Sequence, residues 1–199
     1  MSYYVRVLAL KTATPSLAEL RSSLPEGQKL QLETGEETEW SQLILRHKTG
    51  EEIALIERNP VLPGELGEEE LNEFIEDVKS EKPESAANWL GQFLPRVKTI
   101  FAFQLLSGTD IKNGWDGVSS LQRSIRQKMG GVLQADLEGF SNEHGHQILW
   151  RFSSDHDGPW EMAVLDAQGK WIAFEMDLGN PKHKQAFLDG RVPEGVRRL

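Results

Sequence analysis

The chain predicts an α+β fold, mainly antiparallel sheet with helices on one face, and three observations carry that expectation. Segments 40–47 and 53–58 read as strands joined by Lys48-Thr49-Gly50, a short hairpin signal. Leu71, Phe74, Ile75 and Val78 recur at i, i+3, i+4 and i+7, the period of an amphipathic helix, and Val118, Leu121, Ile125 and Met129 form a second helical stripe. With 199 residues, 38% of them hydrophobic and 27% charged, the chain is long enough to bury a sizeable core without metals or disulfides.

Taken in order, residues 3–10 form a first strand, with Tyr4, Arg6, Leu8 and Leu10 on one face and Val5, Val7 and Ala9 on the other. A short helix follows, with Thr14 as its expected N-cap, Pro15 at its first position and Leu17, Leu20 and Leu24 inward. Strands at about 28–34, 40–47 and 53–58 lead through a Pro60/Pro63 loop into an acidic helix. Glu68, Glu69 and Glu70 in its first turn and Lys79 in its last complement the helix dipole. A helix at about 85–94 carries Trp89, Leu90, Phe93 and Leu94 on one stripe, and Pro95 ends it.

From residue 98 the pattern restarts. An apolar strand at 99–106 precedes Ser107-Gly108-Thr109, then a helix at about 116–129 that Gly130-Gly131 terminates. Strands are expected at 132–137, 146–153, 160–166 and 170–177, and a last helix at about 182–189. Laying residues 40–55 on 160–174 with one gap aligns Trp, Leu, Gly, Ile and Ala. The reading that follows is two diverged β-α-β-β-β-α copies, 1–82 and 98–199, packed as one body. A linker helix at 83–97 joins them, and an insertion at about 130–155 lies in the second.

Charge and composition exclude several classes. A formal net charge of −9 argues against nucleic-acid partners and anionic membranes, both of which need basic excess. With no cysteine there is no disulfide, thiolate nucleophile or thiolate-bound zinc. Residues 1–10 carry Arg6 in their middle and read as a strand and not a signal peptide, and no run approaches 18 uninterrupted apolar residues. A cytoplasmic protein is expected, as monomer or homodimer.

The richest polar stretch lies in the insertion. If 132–137 paired with 146–153, Asp136, Glu138, His144 and His146 would gather near the connecting loop, an acceptable ligand set for zinc or another divalent ion. Asp155-His156-Asp157-Gly158-Pro159 reads as a turn at the far end of that strand, so His156 is not added. No Gly-x-Ser-x-Gly elbow is present, and Ser107-Gly108-Thr109-Asp110 lacks the spacing of a phosphate loop, with Asp110 or Asp116 expected to cap the following helix.

Of six tryptophans, Trp115 stands between Gly114 and Gly117, and Trp150 and Trp160 fall on or beside expected strands. With Phe140 they are the candidate ligand-binding residues, since aromatic side chains with one wet face anchor binding patches. The segment 182–198 is locally basic through Lys182-His183-Lys184, Arg191, Arg197 and Arg198. Two functions are carried forward. The first is a non-catalytic binding protein, holding a protein or small ligand in a groove between the copies and needing no cofactor. The second is a metal-assisted enzyme or metal-binding protein built on the 136–146 loop.

Overall fold

The computed structural model describes residues 3–153 and 156–199. In chain order its elements are β1 (Tyr3–Ala9), α1 (Leu17–Ser22), β2 (Gln28–Glu36), β3 (Glu39–His47), β4 (Glu52–Pro60), α2 (Leu66–Asp77) and α3 (Glu84–Phe93). There follow β5 (Thr99–Leu105), α4 (Gly114–Met129), β6 (Gly131–Ala135), β7 (Gly139–Ser141), β8 (Pro159–Leu165), β9 (Trp171–Asp177), α5 (Pro181–Leu188) and β10 (Arg197–Arg198). The α+β class holds, and the pairings β1–β5, β2–β3, β3–β4, β4–β5, β6–β7, β8–β9 and β9–β10 are antiparallel. Among the described residues, no helix is long and apolar enough to cross a membrane.

The elements gather into two compact units that interleave along the chain. The first runs to Glu70 and resumes over Val97–Val132; the second is Leu71–Arg96 with Leu133–Leu199. In the first unit the strands lie in the order β2-β3-β4-β5-β1, with the start of β6 next to β1. Val7 stands opposite Phe101 and Val5 opposite Phe103, while Ile56 pairs with both Phe103 and Leu43. Paired residues point to the same side of a sheet, so these apolar side chains share one face. Helix α4 packs on β1, β3 and β4, and α1 packs on α4 and β2. Arg6, on the opposite face, pairs with Glu70 at 2.5 Å.

Trp40 is fully buried, its ring 5.7 Å from Phe101 and its indole N–H donating to the Pro15 carbonyl at 2.9 Å. That carbonyl displaces the expected helix start. Ser16 and not Thr14 is the N-cap of α1, its hydroxyl accepting from Glu19 N, and Pro15 precedes the cap. Helix α4 likewise begins two residues before the expected 116. It follows Asn113, in the left-handed conformation at φ 66°, and neither Asp110 nor Asp116 caps it.

In the second unit β10-β9-β8 form a three-stranded sheet. Phe152, Met162, Val164, Phe174, Met176, Leu178 and Phe187 make its buried cluster. The strand expected at 146–153 does not form. Residue 147 makes single bridges to Ser141 and Met162, and the Trp150 N–H leaves the ladder to donate to the Lys82 carbonyl at 3.1 Å. The two hairpins aligned in the sequence keep different company: β4 runs beside β5, whereas β9 pairs with β10.

Candidate functional site

The structure separates the four aromatic candidates. Trp115 lies in the first turn of α4, in the first unit, and is 46% exposed. Phe140 is fully buried and stands edge-on to Phe74 at 5.9 Å, so it cannot meet a ligand; strand alternation on β7 turns it inward. Trp150 and Trp160 do come together. Their rings lie 5.3 Å and 5.2 Å from Phe152, both near perpendicular, and Phe187 of α5 is 6.1 Å from Trp150. Both are half-buried against the second unit's core. The Lys184 ammonium sits 4.8 Å above the Trp150 ring, where the ring's negative face attracts it.

The proposed metal set is divided between two turns. Chain 136–138 joins β6 to β7, with Ala135 paired to Gly139, whereas residues 142–146 form the turn after β7. Even a strand of three residues holds its two end turns roughly 10 Å apart. Asp136 and Glu138 therefore lie at one end and His144 and His146 at the other. Among the described residues no group of three or more His, Asp or Glu side chains is placed to hold a metal ion. The His144 and His146 rings are 6.2 Å apart, and His144 approaches Glu143 at 3.9 Å.

Asn142, fully buried, builds the second of these turns. Its side-chain oxygen accepts from the N–H groups of both His144 and His146 at 3.0 Å, and its own N–H donates to the His146 carbonyl at 2.9 Å. Asn142→Ala should cost about 2–3 kcal/mol, the value of two lost bonds and two stranded donors. Urea unfolding monitored by tryptophan fluorescence checks this, and a loss under ~1 kcal/mol contradicts it.

His156 has its Nδ1 2.7 Å from Ser153 Oγ and its ring 5.7 Å from Phe152. Asp155 of the same motif lies outside the described residues.

The site that sequence reading missed is built around α5. Asn180 caps the helix, accepting from the N–H groups of Lys182 at 3.0 Å and His183 at 3.4 Å. At its other end Gly190, at φ 73°, turns the chain back along the helix, and Arg191 N donates to the Ala186 carbonyl at 2.9 Å. Between α5 and this returning segment lies a cavity of about 440 Å³. Lys182, His183 and Arg191 bring cations or potential cations to it; Ala186, Val192 and Pro193 bring apolar surface; Glu194, Asn180 and Gln185 complete the lining. The buried Nδ1 of His183 has no hydrogen-bond partner.

A second cavity, about 480 Å³, shares Gln185 and is lined by Lys82, Glu84, Ser85, Leu165, Leu188, Asp189 and Gly190. Asp189 accepts from Arg191 and from Gln185 at 2.8 Å each. The Arg191 bond first, then the Gln185 bond, hold its carboxyl below the usual aspartate value. Arg191, which lines the first cavity, is thus paired with Asp189, which lines the second.

Comparison with known proteins finds no matching family model, no matching curated protein and no matching solved structure. Function rests on the chemistry of the site itself. The basic run at 182–184 and Gly190 after the helix are visible in the sequence, but the packing of Val192 against the second unit's core is tertiary.

Proposed function

We propose that the protein is a non-catalytic binding protein whose second unit takes a short acidic, apolar-tipped segment of a protein partner in the cavity beside α5. One observation carries this reading: Lys182, His183 and Arg191 line one cavity together with Ala186, Val192 and Pro193. On a chain of net charge −9, such a cluster is the local exception, and charge contrast of this kind selects partners and orients them. The half-buried Trp150, with Lys184 above its ring and Phe187 6.1 Å away, packs against the same helix and adds an aromatic contact for a partner. Both cavities are lined by residues of the second unit alone. The metal-assisted alternative has no assembled ligand set among the described residues in its support.

A site of this size, closing on one apolar side chain and two carboxylates, should bind with a dissociation constant of roughly 10⁻⁵ to 10⁻³ M. The test is titration of ¹⁵N-labelled protein with a capped Asp-Leu-Glu peptide, beside Asp-Gly-Glu and Lys-Leu-Lys controls. Amide shifts are expected at 182–186 and 191–194, weakened about tenfold by Lys182→Ala/Arg191→Ala, a loss of ~1.4 kcal/mol. Equal binding of the Lys-Leu-Lys peptide, or no shift at millimolar Asp-Leu-Glu, overturns the proposal.

A further inference from the structure

Leu137 is 78% exposed, the most exposed large apolar side chain among the described residues. Its backbone is left-handed, at φ 65°, in the three-residue loop Asp136-Leu137-Glu138 between β6 and β7. Loops of this kind normally place glycine or asparagine at such a position, because a branched or bulky side chain there crowds its own backbone. Leucine bears that strain and returns nothing for it within its own chain, since its side chain is left in water. Strained backbone of this kind collects at sites of interaction.

The loop has a chemical complement on the same molecule. In it the exposed Leu137 stands between Asp136 and Glu138, both partly exposed. The cavity beside α5 is lined by apolar surface from Ala186, Val192 and Pro193 and by Lys182, His183 and Arg191. A chain does not fill its own cavity with this loop, because Leu137 remains exposed. A second copy is free to do so.

Building on the reading of that cavity as a receptor for acidic, apolar-tipped segments, we infer that its occupant is the 136–138 loop of a second copy of this chain. Donor loop and receiving cavity both belong to the second unit, so two chains can each insert Leu137 into the other about a twofold axis. Each contact is then made twice, as an isologous interface requires. The interface is small, so the dimer is weak and reversible, with a dissociation constant of roughly 10 μM to 1 mM.

Sedimentation equilibrium from about 10 μM to 1 mM reads the association directly. Mixed ¹³C-labelled and unlabelled chains then report intermolecular contacts from the Leu137 methyls to Ala186 and Val192. Leu137→Asn, which suits the left-handed backbone, should raise the melting temperature of the monomer while weakening dimerisation at least tenfold. A purely local role for Leu137 predicts the first change without the second. Lys182→Glu/Arg191→Glu should also abolish the homodimer, and mixing these two variants should restore contact at one seat, with the charge-reversed chain as donor and Leu137→Asn as receiver.

A wild-type chain that stays monomeric to 1 mM overturns the inference. The Leu137→Asn chain keeps its cavity, so its titration with the capped Asp-Leu-Glu peptide separates the two claims. Binding without dimerisation leaves the receptor reading standing and removes the second copy as its occupant. Loss of both removes both.

Discussion

Trp40→Ala should destabilise the fold by about 3–5 kcal/mol, the range for deleting a fully buried aromatic side chain. Trp40 is 0% exposed, fills the space beside Phe101, and ties β3 to the segment before α1 through its indole bond to Pro15. Alanine leaves a cavity there and strands the Pro15 carbonyl. Urea denaturation followed by far-ultraviolet circular dichroism reads the loss as a shift in midpoint at constant slope. Trp40→Phe keeps most of the volume and loses only the bond, so it should cost about 1–2 kcal/mol. A deficit below ~1.5 kcal/mol for the alanine variant contradicts the assignment of Trp40 as the main wedge of the first unit's core.

Gly108→Ala is expected to cost about 2–4 kcal/mol, though it adds one methyl. A Cβ at this position would lie 2.5 Å from the Glu52 carbonyl oxygen and 2.8 Å from its carbon. Those atoms belong to β4, which is pinned between β3 and β5, and the Leu106 N–H bond to the Ile53 carbonyl at 2.9 Å holds the turn against it. Neither side can yield cheaply. Gly91→Ala is the matched control, since it lies in helix α3 with nothing near its added methyl and should stabilise by roughly 0.5–1 kcal/mol. Thermal unfolding of the pair measures both signs at once. The result also fixes why glycine follows Ser107: it lets the turn approach β4, a packing role distinct from cradling a phosphate.

What the sequence disclosed and what it hid divide along the range of the interactions involved. The hairpin at Lys48-Thr49-Gly50, the stripe of Val118, Leu121, Ile125 and Met129, and the apolar strand expected at 99–106 rest on local periodicity; the first two are found where expected, and the strand is found at 99–105. The strand expected at 146–153 fails because the Trp150 N–H is claimed by Lys82, far away in the chain. Its loss also undoes the gathering of Asp136, Glu138, His144 and His146, since residues 139–141 and not 146–153 pair with β6. Three residues are too few to announce a strand by alternation. Thr14 and Ser16 are both acceptable caps, and the choice falls to Ser16 because Pro15 is engaged by Trp40. Of the site itself, the composition of the basic run was legible, but its concavity was not. That depends on a glycine turn and a returning segment whose bonds reach back to α5.

The placement of β1 has a consequence for biosynthesis. Among the described strands it is translated before the others, yet its neighbours are β5 and β6. Ala9 finds Thr99 across the ladder, and Tyr3 finds Leu105. While β2, β3 and β4 can close as a local meander during translation, β1 waits with both edges open until the middle of the chain has emerged. Such distant pairing slows folding and prolongs the exposure of an apolar strand to aggregation. The nascent chain is therefore most vulnerable between the completion of β4 and the arrival of β5, a window in which ribosome-associated chaperones would find Val5 and Val7 unclaimed.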